Sequence, residues 1–181
     1  MLNRRGLVGE AAEIGVKTGK YSDFLLEHWR GRKLTSIDPW LEAEPDEYVD
    51  RANVAQNEHE RFYEETRRRL ARHGARSEIV RSTSVEAARN VADASLDFVY
   101  IDARHDHDSV LEDLGAWYPK VRAGGIIAGH DYVDGTFPSG VFGVKSAVDE
   151  FFVARGIPVH ATKGKRPVEM FPSWLVEIPV D

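Results

Sequence analysis

Apolar positions along this chain follow two alternating periods, one typical of buried strands and the other of amphipathic helices. Runs rich in β-forming residues predict strands at 10–15, 33–38, 78–81, 96–102 and 125–131. The two clearest helical faces consist of Tyr21, Phe24, Leu25, His28 and Trp29, and of Val144, Ala147, Val148, Phe151 and Phe152. Strands separated by helices favour right-handed crossovers and a parallel sheet. We therefore predict an α/β fold, a doubly wound Rossmann-like sheet with helices on both faces.

The end of the chain follows a different pattern. Residues 158–161 and 173–178 have strand character, and the Lys-, Gly- and Pro-rich residues between them leave no room for a helix, which predicts a C-terminal antiparallel hairpin. No linker or repeat divides the chain, so we expect one domain over residues 1–181. The acidic segment 39–57 lacks a strand pattern and precedes a helix predicted to run to His73. This segment is interpreted either as a lid over the carboxyl ends of the strands or as a plain surface loop.

Charge and composition narrow the classes of function. The 181 residues carry 24 Lys and Arg against 30 Asp and Glu, a net charge of −6, which argues against nucleic acid or an anionic membrane as the main partner. The chain has no cysteine, which excludes disulfides, thiolate metal sites and a cysteine nucleophile. No apolar stretch is long enough to span a bilayer, and Met1–Arg5 does not lead into the apolar core of a signal peptide. We therefore expect a cytoplasmic protein.

A glycine loop and an acidic residue mark the ends of the first two predicted strands. Gly15 and Gly19 follow Glu13 where the first strand turns into the first helix, and glycine there lets backbone N–H groups approach a bound molecule. The same spacing also suits an ordinary strand-to-helix turn. The next strand ends at Asp38, about twenty residues on, where a carboxylate can accept both hydroxyls of a ribose. Lys17 stands where a dinucleotide fingerprint requires glycine, which leaves a nucleoside without a diphosphate as the favoured ligand.

Two later predicted strands also deliver acidic residues to their carboxyl ends. Asp102 closes one and Asp131 the other, with His105 and His130 close by in the sequence. Open α/β sheets bind ligands at this rim. Two carboxylates suit Mg²⁺, Mn²⁺ or Ca²⁺, and an added imidazole moves the preference toward Mn²⁺, Fe²⁺, Co²⁺ or Zn²⁺. The alternative for both aspartates is capping of loops and helices, and for His130 ligation and a structural role are equally supported.

Several short motifs carry a family resemblance in the same order along nearly the whole chain. They are Gly9-Glu10, Glu13-Ile14-Gly15-Val16, Ile37-Asp38-Pro39-Trp40, Phe98-Val99-Tyr100-Ile101-Asp102 with His105, Gly124-Gly125, Gly129-His130-Asp131-Tyr132 and Pro172-Ser173-Trp174. Together they resemble a bacterial family of class I S-adenosylmethionine-dependent methyltransferases. The chain is more distantly similar to catechol O-methyltransferase and to the macrolide-sugar O-methyltransferases, which need a divalent metal. The resemblance implies the seven-stranded, mostly parallel sheet of that fold.

The resemblance also implies which residues bind S-adenosylmethionine. The implied cofactor-binding residues are Glu13, Gly15, Gly19, Asp38, Trp40, Ser84 and Asp102. The first three would hold the methionine part and Asp38 the ribose, whereas Trp40 and Ser84 would flank adenine. Trp40 has a core or lid anchor as its alternative role. Ser84 precedes Val85-Glu86 and also suits the N-cap of a helix.

The same resemblance implies a metal site and a base. The implied metal ligands are Asp102, His130 and Asp131, with His130 at a position that is usually acidic in the metal-dependent relatives. His105 stands where the catechol enzyme resemblance places a lysine. Because imidazole has a reference pKa of about 6.5, it suits a general base near neutrality, and His105 is the predicted catalytic residue. The residues at 106–108 are expected to open the next helix, where negative charge is favourable.

Three hypotheses of function follow. The leading one is a small O-methyltransferase that uses S-adenosylmethionine, a divalent metal such as Mg²⁺ or Mn²⁺, and a sugar or other hydroxylated metabolite as acceptor. The first alternative is a metal-dependent hydrolase that uses Asp102, His105 and Asp131. The second is a ligand-binding protein without chemistry. The oligomeric state is left open, with a homodimer as the alternative to a monomer.

Overall fold

The computed structural model describes residues 1–44, 48–163 and 171–180, which form one seven-stranded sheet with helices on both faces and a separate two-stranded hairpin. In chain order the strands are β1 (Glu10–Ile14), β2 (Lys33–Asp38), β3 (Ser77–Arg81), β4 (Leu96–Ile101), β5 (Val121–Gly129), β6 (Asp134–Phe137), β7 (Gly140–Gly143), β8 (His160–Ala161) and β9 (Trp174–Glu177). The helices are α1 (Lys20–His28), α2 (Gln56–Leu70), α3 (Ser84–Ala88), α4 (His107–Trp117) and α5 (Val144–Val153). Short 3-10 turns lie at Leu2–Arg5, Ala71–Arg76 and Tyr118–Lys120.

The sheet has the strand order β3-β2-β1-β4-β5-β9-β8. The first five strands in this order pair in parallel, whereas β9 runs antiparallel to both β5 and β8. All six residues of β4 are buried, as expected for a central strand that is covered on both faces. The predicted doubly wound sheet and its C-terminal hairpin are therefore confirmed. The loop predicted between β8 and β9 falls mainly on residues 164–170, outside the described residues.

One predicted helix face is confirmed and the other is partly wrong. The apolar stripe of α5 is buried on the sheet along its whole length. On α1, Leu25 and Trp29 of the predicted face are buried, but the core side also carries Ser22 and Leu26, which were not predicted. Phe24 is 53% exposed, and its ring packs at 4.4 Å from that of His28 beside an open cavity of about 430 Å³ on the β4 face. The periodicity indicated a helix correctly, but it could not distinguish a core stripe from the wall of a cavity.

The β6–β7 hairpin is an element that the sequence did not predict. Glycines at 135, 140 and 143 interrupt the apolar alternation by which strands are usually detected. Gly140 has φ +146°, and a Cβ at this position would lie 2.7 Å from the Val49 carbonyl oxygen. Glycine therefore allows residues 48–53 to approach the hairpin, where Asp50 forms a backbone bridge with Gly140 and the Arg51 N–H donates to the Ser139 carbonyl at 2.9 Å.

The helices of the described residues are all too short or too polar to cross a membrane. The helix predicted to run to His73 is present as α2 followed by a 3-10 turn. Of the predicted lid segment 39–57, residues 45–47 lie outside the described part of the chain. Its remaining residues, up to the start of α2, have no regular helix or strand.

Candidate active site

The glycine loop between β1 and α1 lies directly against the end of β4. Gly15 has φ +85° and Gly19 has φ +70°, conformations that residues with a Cβ rarely adopt. A Cβ on Gly15 would lie 2.0 Å from the Asp102 carbonyl oxygen, so only glycine fits between the two strand ends. The Asp102 N–H in turn donates to the Ile14 carbonyl at 2.7 Å. The two predicted half-sites, the glycine loop and Asp102, are thus in direct backbone contact.

Asp38, at the end of β2, organises the same loop. Its Oδ2 accepts hydrogen bonds of 2.9 Å from the backbone N–H groups of Val16 and Lys17. Its Oδ1 accepts a third, of 2.7 Å, from the Trp40 N–H. A carboxylate has about four acceptor positions, so the half-buried Asp38 keeps capacity for a ligand hydroxyl while it holds the loop. The role predicted for Asp38 at a ribose stays a prediction, and this geometry is compatible with it.

Trp40 is more buried than its predicted role at adenine suggests, whereas Ser84 is partly exposed. The Trp40 side chain is 0% exposed and donates from its indole Nε1 to the Lys17 carbonyl at 2.7 Å, so contact with a ligand would require it to move. Ser84 accepts a hydrogen bond of 2.9 Å from the indole of Trp117. The N-cap prediction for Ser84 is wrong, because α3 begins at Ser84 itself and its N-cap is Thr83. The structure favours an anchoring role for Trp40.

Glu13 is buried inside the domain beneath the loop. Its carboxyl group is 2% exposed and accepts a hydrogen bond from the Ser22 hydroxyl, which itself accepts one of 2.9 Å from Ser36. Burial raises the pKa of Glu13 to about 8, against the opposing effect of the Ser22 hydrogen bond and with a further contribution from the charges of Asp102 and Asp38. The Glu13 side chain therefore links β1 to α1 through Ser22, and its predicted role at the methionine part of the cofactor stays a prediction.

The strand ends of β4 and β5 bring together a cluster of acidic and imidazole groups. His105 Nε2 lies 3.0 Å from an Asp131 carboxylate oxygen and 3.9 Å from one of Asp102. One potential ligand atom from each of the three residues can be chosen so that all lie within 4.8 Å of one another. Two carboxylate oxygens and one imidazole nitrogen are a donor set for a divalent cation, and the mixed nitrogen and oxygen character favours Mn²⁺ and its neighbours over Mg²⁺.

His130 stands beside this cluster and contacts one of its members. Its Nδ1 lies 2.7 Å from Asp131 Oδ1, and this hydrogen bond raises the pKa of His130. Asp131 has φ +54°, a left-handed conformation that is costly for a residue other than glycine and that recurs at functional sites. Among the described residues, the group with metal-ligand spacing contains His105 in place of His130. The ligand role of His130 stays a prediction. His105 lies within the group that has metal-ligand spacing, whereas the sequence analysis placed it beside the metal site as a base.

His105 is surrounded by negative charge. Burial alone would lower the pKa of its imidazole, but the carboxylates of Asp102, Asp131 and Asp50 outweigh this effect and raise the pKa to about 11. Hydrogen bonds from the two histidines hold the pKa of Asp131 below its usual range, despite the opposing effect of burial. Without a cation, the imidazole is therefore charged at neutral pH. The predicted role of His105 as a general base stays a prediction, and it requires these carboxylates to be neutralised first.

Asp50 is a member of the site that sequence analysis missed. Its side chain is 5% exposed and lies 2.8 Å from His105 Nδ1, although the two residues are 55 positions apart. It comes from the segment predicted as a lid or loop, which shows no motif at this position. The acidic composition of that segment was the only available signal. The helix start at 106–108 was predicted correctly, since Asp106 is the N-cap of α4 and accepts from the Ser109 N–H at 3.0 Å.

The fold and the site together define a class of protein. A sheet of this strand order, with a glycine loop after β1 and acidic residues at the ends of β2 and β4, is the class I S-adenosylmethionine-dependent methyltransferase fold. A family model described as a methyltransferase domain matches residues 12–132, which is more than half of the chain. The protein belongs to this family of methyltransferase domains.

Solved structures and a curated relative extend the comparison. The O-methyltransferase TomG of Streptomyces achromogenes, involved in tomaymycin synthesis and solved with S-adenosylmethionine, is 19% identical with a TM-score of 0.70, over 99% of this chain and 76% of that chain. An O-methyltransferase of Bacillus cereus, solved with S-adenosylhomocysteine, is 16% identical with a TM-score of 0.69, over 98% and 76%. At these identities the likeness concerns the fold. The uncharacterized protein y4gI of Sinorhizobium fredii is 32% identical over 80 residues, which make up 41% of this chain and only 9% of that much longer protein.

Proposed function

We propose that this protein transfers the methyl group of S-adenosylmethionine to a hydroxyl oxygen of a small acceptor, such as a sugar or another hydroxylated metabolite, with the help of a divalent cation. The observation that carries the proposal is the cluster of Asp102, His105 and Asp131 at the carboxyl rim, in backbone contact with the glycine loop. Methyl donor and acceptor would meet at this contact.

The residues around the glycine loop fit the methyl donor. Gly15 and Gly19 give the loop its two left-handed turns, and Asp38 retains acceptor capacity beside the loop. In the proposal Asp38 binds the ribose hydroxyls, and the loop holds the methionine part. The donor supplies an electrophilic methyl group on a sulfonium centre. Asp38 and the loop contribute orientation, which brings that group and the acceptor oxygen into line.

In the proposal the carboxylates of Asp102 and Asp131 would hold a divalent cation, and His105 Nε2 would lie beside the cation without binding it. A cation in such a site lowers the pKa of an acceptor hydroxyl. The two aspartates would also be neutralised, and His105 would then lose the partners that hold its proton on Nε2. In this state Nε2 is the atom that we expect to take the proton from the acceptor hydroxyl.

The family relationship weighs against the two alternative functions. A metal-dependent hydrolase would use the same cluster but would need no glycine loop and no Asp38. A binding protein without chemistry would need no proton acceptor at the rim. The match of residues 12–132 to a methyltransferase domain is more simply explained by methyl transfer.

Calorimetric titration with S-adenosylhomocysteine tests the donor assignment. Micromolar binding is expected, and Asp38→Ala should weaken it by about ten- to a hundred-fold, which corresponds to one charge-assisted hydrogen bond. Asp93→Ala is the matched control, because Asp93 is 71% exposed and its side chain pairs with Lys120 away from the loop. Absence of binding at millimolar concentration would exclude the proposal.

The acceptor and the cation are tested together. A panel of sugars and hydroxylated metabolites is incubated with methyl-labelled S-adenosylmethionine, with added Mn²⁺ or Mg²⁺ and with excess chelator. Labelled product that disappears with chelator and returns with Mn²⁺ supports the metal-assisted reaction. Equal turnover in chelator would remove the metal from the proposal, and label on nitrogen would remove the hydroxyl acceptor.

A further inference from the structure

The imidazole of His105 is held from two directions. The Phe142 ring stacks on it with a centroid distance of 4.5 Å and an interplanar angle of 13°, which fixes the plane of the imidazole. The Gly143 N–H donates to the His105 carbonyl at 2.8 Å, so β7 also fixes the backbone beneath. Stacking alone still permits a half-turn about the Cβ–Cγ bond, which returns the ring to the same plane with its nitrogen and carbon positions exchanged.

Asp50 removes that remaining freedom. In the observed orientation both ring nitrogens face carboxylate oxygens, Nδ1 that of Asp50 at 2.8 Å and Nε2 that of Asp131 at 3.0 Å. A flipped ring would present carbon atoms to both oxygens and would lose both hydrogen bonds. A carboxylate can only accept, so each of these contacts places a proton on the ring nitrogen that it faces. Asp50 thereby holds Nδ1 on the side away from the rim and leaves Nε2 as the nitrogen that faces the rim.

The backbone around Asp50 is itself fixed. Asp50 Oδ1 accepts from the Ala52 N–H at 2.6 Å, and the Asn53 side chain bonds the backbone of Ala43 and Tyr48 at 2.9–3.1 Å. The bridge to Gly140 then joins this turn to the hairpin that carries Phe142. The Asp50 carboxylate is therefore held in place by hydrogen bonds within its own turn and by the bridge to the hairpin.

We propose that Asp50 is the positioning residue of the site, which fixes the orientation of the His105 ring so that Nδ1 faces Asp50 and Nε2 faces Asp102, Asp131 and the acceptor. Residues 48–53 thereby form part of the active site. The catalytic consequence rests on the proposed function, whereas the orientation of the ring does not. An oriented imidazole backed by a carboxylate is a general device for keeping one nitrogen available to a metal or a reacting proton.

The experiment compares Asp50→Asn with wild type by two measurements. Long-range ¹H–¹⁵N spectra of the histidine side chains, recorded in the presence of Mg²⁺ and S-adenosylhomocysteine, report whether Nδ1 of His105 carries a proton. Wild type should show a protonated Nδ1. The carboxamide can both donate and accept, so the variant should lose the uniform Nδ1–H signal. Turnover should fall by roughly 10–100-fold with little change in KM.

A matched control is available on the next helix. Asp108 contacts His107 Nδ1 at 2.9 Å, the same kind of pair as Asp50 and His105, but its side chain is 97% exposed. Asp108→Asn should leave turnover and the His105 signals unchanged. Circular dichroism identifies folded protein in every sample, and Asp50→Glu, which retains a carboxylate, should recover part of the Nδ1–H signal if Asp50→Asn is unstable.

The two arms separate failure of this inference from failure of the proposed function. If wild type transfers no methyl group, the proposed function fails and the spectra still decide the role of Asp50. If folded Asp50→Asn keeps wild-type His105 signals and wild-type turnover, Asp50 only anchors its loop and the inference is overturned. A loss of thermal stability without either change leads to the same conclusion.

Discussion

The buried carboxyl group of Glu13 makes the stability of the protein depend on pH in a way that can be isolated with one substitution. Glu13→Gln keeps an oxygen that can accept from Ser22 and removes the ability to ionise. In the folded protein the pKa is about 8, compared with an ordinary value of 4.5. Between these values the folded state holds a proton that the unfolded chain has released. The free energy of unfolding of wild type therefore falls as pH rises through this window.

The size of the effect follows from the same two values. At about 1.4 kcal/mol for each unit of pKa difference, Glu13 removes on the order of 3–4 kcal/mol of stability between pH 5 and pH 8. Glu13→Gln should be close to wild type at pH 5 and more stable than wild type at pH 8 by up to that amount. Although several groups titrate over this range, the difference between the two proteins isolates Glu13.

Urea unfolding followed by tryptophan fluorescence, at unit intervals from pH 5 to pH 8 without cofactor, measures the difference. Glu10→Gln is the control, since Glu10 lies on the same strand with its side chain 37% exposed and paired with Arg32. It should leave the pH dependence unchanged. Parallel curves for wild type and Glu13→Gln would refute the reasoning, because the carboxyl would then ionise in the folded state as easily as in the unfolded chain.

Three further outcomes are expected. Gly15→Ala should lower the free energy of unfolding by roughly 2–4 kcal/mol in thermal or urea melts, since its Cβ would lie 2.0 Å from the Asp102 carbonyl oxygen at a φ of +85°; unchanged stability would contradict the packing of the two strand ends. Asp131→Asn should weaken Mn²⁺ binding at least ten-fold in calorimetry. Asp134→Asn, at the first residue of β6, should leave Mn²⁺ binding unchanged. His105→Gln should lower turnover by roughly 10²–10⁴-fold while binding of S-adenosylhomocysteine persists, and a variant with wild-type turnover would assign the proton to another group.

The parts of the fold that depend on burial could be predicted from the sequence. The six residues of β4 and the apolar stripe of α5 are buried. Burial is visible in the sequence as a mainly apolar run for β4 and as a helical repeat of apolar residues for α5. The β6–β7 hairpin could not be predicted in the same way, because its pairing depends on glycines and on a close approach of another segment. The face of α1 was misassigned for a related reason, since Phe24 lines a cavity with the same apolar character as a core residue.

The site divides along similar lines. Asp102 and Asp131 could be predicted because each follows a buried strand, and the carboxyl ends of parallel strands share one rim. The charge state of His105 depends on how many carboxylates surround it in the folded protein, and these come from separate segments of the chain. Asp50 approaches from a segment without periodicity, 55 positions away. No local pattern records such a contact.

The contact between Gly15 and the Asp102 carbonyl has a thermodynamic consequence. The strand end that would receive the cation is joined to the start of the loop that would receive the methyl donor by the hydrogen bond from the Asp102 N–H to the Ile14 carbonyl, at 2.7 Å. The next residue of the loop, Gly15, donates from its N–H to the Ile37 carbonyl of β2 at 2.9 Å. Ordering one end reduces the freedom of the other. We expect the affinities of the two ligands to be linked reciprocally, each raising the other by the same factor, so that the enzyme is assembled fully only when both are present.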